Sequence, residues 1–242
     1  MDPNFKFRFS VRPVPDGEAL TFAEIEERYL KQLEESERKL VQSLTELAKL
    51  YSQATLHDEA CRCIERLIAL SNDPEQHGSY YLSLGCFMEK IGDYKGAAKF
   101  YGQALALEPC RTSTWYYIHN NLGFSLNQLE DYDAAIPYLR RAIEIDPGLP
   151  NAYKNLGLAL EAKGSYCEAA ELFITATQTD AADSRSLGHL ENLISSHPEL
   201  EIDVPDLLGR LESCREAVAI ARAQQPDLRG AWDRARQRQR RD

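Results

Sequence analysis

No apolar run in the 242 residues approaches the roughly 20 needed to cross a bilayer as a helix. The first residues also lack the basic-then-apolar layout of a secretory leader: Asp2 comes first, and Lys6, Arg8 and Arg12 interrupt the aromatics. The expectation is a soluble, cytoplasmic protein. Cysteine supplies no framework. Of Cys61, Cys63, Cys86, Cys110, Cys167 and Cys214 only the first two are close, and scattered thiols suit packing in a reducing compartment better than disulfides. His57, His77, His119, His189 and His197 fall on no metal-ligand spacing with those cysteines. There is no phosphate loop, no glycine-rich dinucleotide fingerprint and no Ser or Cys nucleophile in a recognisable setting. These absences argue against an enzyme, with no catalytic residue, no metal and no cofactor expected.

Charge is unevenly spread. The net charge is −10, yet the stretch from Arg222 onward holds seven Arg against Asp227, Asp233 and Asp242, a net +4 that leaves −14 on the remainder. An acidic body does not suit nucleic acid, whose phosphates need a basic face. The Arg-rich tail, residues 224–242, is the one nucleic-acid candidate, and the plain reading of such a run is a solvated, disordered end.

What the chain has in quantity is repetition. "NLGFSLNQLEDYDAAI" starts at Asn121, and "NLGLALEAKGSYCEAA" starts 34 residues later at Asn155. An earlier copy starts around Gly85. The shared skeleton is Leu84, Gly85, Ala97, Tyr101, Ala104; then Leu122, Gly123, Ala135, Leu139, Ala142; then Leu156, Gly157, Ala169, Phe173, Ala176. A degenerate copy precedes them at Leu47, Ala48, Ala60, Ile64 and Leu67. In the three clear copies the small–large–small set at i, i+4 and i+7 lies on one face of a helix. The glycines fall inside the preceding helix, where each costs roughly 1 kcal/mol relative to Ala, so a close helix–helix contact is expected there. Asp93, Asp131 and Ser165 are placed to cap the second helix of each copy.

This skeleton resembles the tetratricopeptide repeat (TPR) family, whose pattern of Leu-Gly, Tyr, Ala, Phe, Ala and Pro spans 34 residues. Units fall at 41–74, 78–111, 116–149 and 150–183; the first lacks the Gly, and the fourth has Ala181 where the family has Pro. The resemblance implies an all-α, right-handed superhelical solenoid of antiparallel helix pairs, because one hairpin buries only one face and stacking shares the core. Domain organisation follows: an extended arm at 1–20, the solenoid at 21–183, capping helices at 184–223 and the basic tail. At the front, Thr21 and Glu24 form a capping box. Phe22, Ile25, Tyr29, Leu33, Leu40, Leu44 and Leu47 make a helical stripe leading into the first unit, so capping helices are expected at both ends.

The resemblance also implies a concave groove, lined by the first helix of each pair, that holds a peptide or a partner helix. The groove positions carry Leu82 and Cys86, then Tyr117, Asn120, Asn121 and Phe124, then Lys154, Asn155 and Leu158. Leu82, Tyr117, Phe124 and Leu158 read as apolar anchors. The asparagines can donate and accept at once, which suits a peptide backbone; bonding a neighbouring helix is the competing reading. Only Lys154 fits the cationic set with which some family members clamp a C-terminal carboxylate, which excludes that mode. Four extra residues, Thr112 to Trp115, add about one helical turn before the third unit. That turn presents Trp115, Tyr116 and Tyr117, with His119 beyond, either as a rim of contact or as filler between hairpins.

The leading reading is therefore a non-catalytic adaptor or scaffold whose partner is another protein. The alternatives are an assembly factor holding a partner's segment, and a nucleic-acid-associated protein using the Arg tail. The arm "NFKFRFSVRP" adds a separate expectation. Phe5, Phe7, Phe9 and Val11 alternate with Lys6, Arg8, Ser10 and Arg12 at strict period two, and such an arm could lie on helices or join two chains as a homodimer contact.

Overall fold

The computed structural model describes residues 22–107 and 112–224. Within them the chain is all-α, an arrangement of eleven helices with no strand among the described residues. The first pair is α1 (Phe22–Gln53) and α2 (His57–Leu70); the second is α3 (Pro74–Lys90) and α4 (Tyr94–Leu105). The third is α5 (Thr112–Gln128) and α6 (Tyr132–Ile145), and the fourth is α7 (Pro150–Ala162) and α8 (Tyr166–Thr179). Then come α9 (Arg185–Ser196), the short α10 (Leu200–Asp203) and α11 (Leu207–Gln224). Each helix packs on the next in sequence through the fourth pair, and the first helices α3, α5 and α7 also touch in series. The result is a solenoid with one layer of first helices and one of second helices.

The turns inside the pairs repeat one device. The amide three residues past each first helix bonds a carbonyl five residues back: Leu56 to Tyr51, Asp93 to Met88, Asp131 to Leu126 and Ser165 to Leu160. This Schellman closure needs a left-handed residue just before the donor. Gly92 and Gly164 supply it, each at φ 79°, while Thr55 and Glu130 take the same left-handed position at φ 60°. Asp93 and Asp131 then cap the second helices, accepting from the amides of Gly96 at 2.9 Å and Ala134 at 3.3 Å. Ser165 makes no side-chain cap bond, so the third expected cap is not used as one.

The core lies where the repeat skeleton puts it. Ala97, Tyr101, Ala104, Ala135, Leu139, Ala142, Ala169 and Phe173 are wholly buried. A Cβ built on Gly85, Gly123 or Gly157 would come under 3.0 Å from Tyr101, Leu139 or Phe173 respectively. The glycines are thus small because the large residue sixteen positions later lies on the helix backbone there. The expected mid-helix contact is found at all three sites.

Beyond the fourth pair the core continues without a break through Leu187, Leu190, Leu193, Leu200, Val204, Leu207, Leu211, Cys214 and Val218. Helix α11 packs on α8 and α9. Arg210 holds Glu171 of α8 in a two-pronged ion pair at 2.7 and 2.6 Å, and Arg215 bonds Glu191 of α9 at 2.8 Å. The Thr21 cap, the N-terminal arm, Cys110 and the Arg tail from residue 225 lie outside the described residues.

Candidate functional site

The layer of first helices carries the positions to which the repeat pattern assigns partner contact, and the structure sorts them into two groups. One group is a polar chain running across three helices. Asn121 of α5 donates to Cys86 Sγ of α3 at 3.5 Å, and Asn120 donates to Asn121 Oδ1 at 2.9 Å. Asn155 of α7 donates to Asn120 Oδ1 at 3.0 Å, and Asn127 donates to the Asn155 carbonyl at 2.8 Å. Asn120 and Asn155 are each only 5% exposed. These amides therefore tie first helices to one another, the competing reading of the asparagines.

A second polar branch meets the first at Cys86. Tyr101 donates to Glu89 Oε1 at 2.9 Å, its hydroxyl oxygen lying 3.6 Å from Cys86 Sγ, and Ser125 donates to the same carboxylate oxygen at 3.0 Å. Burial raises the Glu89 pKa, and the two hydroxyl donors pull it partway back. Burial likewise pushes the Cys86 thiol up, which keeps it a protonated, unreactive group.

The other group faces open space. Phe124 of α5 and Leu158 of α7 line a hollow of about 390 Å³, together with Asn127, Gln128, Tyr132, Glu161, Ala162, His189 and Asn192. The hollow bridges α5, α7 and α9. Phe124 is steadied by an edge contact to Tyr94, with ring centroids 6.1 Å apart. Asn127 donates its amide hydrogen to Asn155, and its Oδ1 is buried with no hydrogen-bond partner among the described residues. Burial raises the Glu161 pKa, and it lowers that of His189, where Lys154 and Arg185 act in the same direction.

His189, Asn192, Gln128 and Tyr132 were not among the residues expected at the site. A signal for two of them existed. The 34-residue step from Asn155 and Leu158 lands on His189 and Asn192, on α9, which packs on α8. The remaining expected residues stand apart. Leu82 is half-buried and packs on the cluster around Tyr101. Lys154 is half-buried, with its ammonium 3.4 Å from Asn151 Oδ1; burial chiefly, and then Arg185, lower its pKa. Tyr117 is exposed, in an edge contact with Tyr116.

The extra turn of α5 is mostly structural. Tyr116 is wholly buried, and its hydroxyl accepts from the Ala152 amide at 3.2 Å and donates to the Leu149 carbonyl at 3.4 Å. It ties the third pair to the start of α7. His119 is buried between Trp115 and Tyr138, and its Nδ1 has no partner among the described residues. Burial, helped by Arg141, drives its pKa down to about 4, so the ring is neutral at pH 7. Tyr117 is the ring of this turn left open to solvent.

Among the described residues no group of three or more His, Cys, Asp or Glu is placed to hold a metal ion. No helix among them is long and apolar enough to cross a membrane.

Comparison with known proteins agrees with this architecture. Family models described as tetratricopeptide repeat match residues 43–77, 78–109 and 116–149. Small glutamine-rich tetratricopeptide repeat-containing protein 2 of Mycosarcoma maydis is 35% identical over 91 residues, covering 38% of this chain and 25% of that protein. The first curated relatives are much longer, and the matched segments cover 25%, 16% and 33% of them. Among solved structures, MamA from residue 41 of Desulfovibrio magneticus RS-1 superposes with a TM-score of 0.60 at 19% identity, over 77% of this chain and 98% of that one. YrrB, described as a TPR protein with an unusual peptide-binding site, superposes with a TM-score of 0.52 at 21% identity, over 72% of this chain and 86% of that one. At these identities the likeness to the two structures is one of fold.

Proposed function

The chain belongs to the tetratricopeptide-repeat family, and on that premise we propose that it is a non-catalytic adaptor that takes a peptide or partner helix into the groove of its first-helix layer. Interaction with other proteins is the general use of the repeat; the finer assignment concerns where the partner sits. The observation that carries it is the hollow of about 390 Å³ spanning α5, α7 and α9. Phe124 and Leu158 offer it apolar anchors, and Glu161, Gln128 and Asn192 offer polar contacts at the rim. Asn127 Oδ1, buried and unpartnered among the described residues, is an acceptor of the kind that a peptide N–H would satisfy. The buried Asn120–Asn155 bond belongs to the wall behind the groove rather than to its contact surface.

The test is selection of peptides from a random display library against the full chain, followed by calorimetry. Gln128→Arg with Asn192→Arg, both on exposed lining positions, should weaken a selected peptide about tenfold or more, roughly 1.4 kcal/mol, with unchanged thermal unfolding. Undiminished binding by that variant removes the hollow as the site.

A further inference from the structure

Helix α2 has fourteen residues and covers α1 only from Gln53 back to about Leu40, since both rise by about 1.5 Å per residue. The preceding stretch of α1 runs on with no described element against it, and every residue from Glu26 to Leu40 is exposed. That stretch is not polar all round. Leu30, Leu33 and Leu40 continue the heptad-spaced row that includes Leu44 and Leu47, and Leu44 is buried against α2. Leu30 is 55% and Leu33 56% exposed, and Tyr29 beside them 47%. Glu26 and Glu37 bound the Leu30–Leu33 part of the row, ten residues or about three turns, and Leu40 lies beyond it.

Charge identifies what covers the patch. Glu27, Lys31, Glu34 and Arg38 follow one another at intervals of four, three and four residues, so they form one row flanking the leucines, with signs −, +, −, +. Two antiparallel helices related by a twofold axis bring the same flank of each together. Their residues then meet in pairs whose numbers add to a constant. With the axis between Gln32 and Leu33, Glu27 meets Arg38 of the second helix and Lys31 meets Glu34 of the second helix, twice each by symmetry. Every contact in the row is between opposite charges; Leu33 of both chains lies beside the axis, with Leu30 about one turn from it on the same face.

We propose that this chain forms an antiparallel homodimer through residues 26–40 of α1, the second copy occupying the face that α2 occupies further along the same helix. The interface is separate from the groove and leaves it open. Its apolar centre is small, so the dimer is concentration-dependent, with dissociation on the order of micromolar.

The experiment is analytical ultracentrifugation of the full chain across a wide concentration range. Two charge variants accompany it, with circular dichroism to confirm helicity. Glu27→Lys with Glu34→Lys makes the row wholly basic, and Lys31→Glu with Arg38→Glu makes it wholly acidic. The unaltered chain is expected to shift from one chain mass to two as concentration rises. Each variant alone should associate about tenfold or more weakly, and an equimolar mixture of the two should recover the dimer, because the rows are then complementary across the twofold. A single-chain mass at all concentrations overturns the proposal. So does association that ignores both variants, and so does a mixture that stays as weak as its components.

Discussion

The first helix pair and the three that follow solve one packing problem with different residues. In each, a position on the first helix is followed sixteen residues later by the large residue of the second. In the later pairs these are Gly85 with Tyr101, Gly123 with Leu139 and Gly157 with Phe173, and the large residue lies directly on the helix backbone. In the first pair the same step leads from Ala48 to Ile64, both buried in one cluster. The pair that keeps the methyl carries a β-branched Ile; the pairs that lack it carry a ring or a leucine. Interiors packed to crystal-like density leave little room for any other combination. The first pair is also the one whose first helix outruns its partner furthest, 32 residues against 14, while at the other end α9 to α11 close the core.

The largest effects should come from forcing the later pairs toward bulk or charge. Ala135→Arg places an unpaired cation at a wholly buried site, and a loss of about 4 kcal/mol or more is expected in denaturant unfolding. Gly123→Leu drives a side chain into Leu139 and should cost about 3 kcal/mol. In the first pair, Ala48→Gly should cost only about 1 kcal/mol, mainly helix propensity. If these three variants unfold with equal losses, the two regions do not differ in the way described.

Next in size are the asparagine ties, which join the later first helices and have no counterpart between α1 and α3 in the described bonds. Asn155→Ala removes the donor to Asn120 Oδ1 and leaves that buried acceptor unsatisfied. A loss of about 2 kcal/mol is expected, read as a lower urea midpoint. An unchanged midpoint with weaker peptide binding would instead assign Asn155 to the contact surface.

A buried and a half-buried titrating group, His119 and Glu89, lie in the same middle pairs, and they oppose each other. The folded His119 pKa, about 4, is below the free value of 6.5. Between these values the unfolded chain binds the proton and the folded chain does not, so its stability contribution is complete above pH 6.5 and is lost as pH falls toward 4. Replacing His119 by Phe should remove roughly 2 kcal/mol of the loss between pH 7 and 5. Glu89 has the reverse sign. Its folded pKa is raised, so the folded chain holds the proton longer, and stability falls as pH rises from the free value through the folded one. Glu89→Gln keeps an acceptor for Tyr101 and Ser125 and should flatten that decline, as followed by thermal unfolding across pH 4 to 8.

The smallest contrast is between turns. Asp131→Ala removes a cap bond and should cost about 1 kcal/mol, whereas Ser165→Ala should be nearly neutral, since Ser165 makes no such bond. Equal losses would mean that the two second helices start in the same way.

The helix pairs, their order and their tight contacts were legible in the chain because those features are local or periodic. A small residue sixteen places ahead of a ring, a step of 34 residues and Asp or Gly at a turn each carry their own physical meaning. The all-α solenoid follows from such signals, as does the expectation that Gly85, Gly123 and Gly157 touch a neighbouring helix. The same period, continued past Asn155, lands on His189 and Asn192, which the reading of the sequence left out. What sequence could not decide was how each polar side chain spends its hydrogen bonds. Asn120 and Asn155 turn inward to each other, Asn127 keeps an oxygen with no partner among the described residues beside a hollow, and Tyr116 is buried while its neighbour Tyr117 is exposed. Residues one position apart on a helix differ by about 100° in direction, and which direction is interior depends on the helices stacked on either side. Ser165, with the same turn and spacing as Asp131, does not cap. Periodicity determined which helices exist and which faces are apolar; only the stacked structure decided which polar groups are left facing open space, because that depends on where every other donor and acceptor has gone.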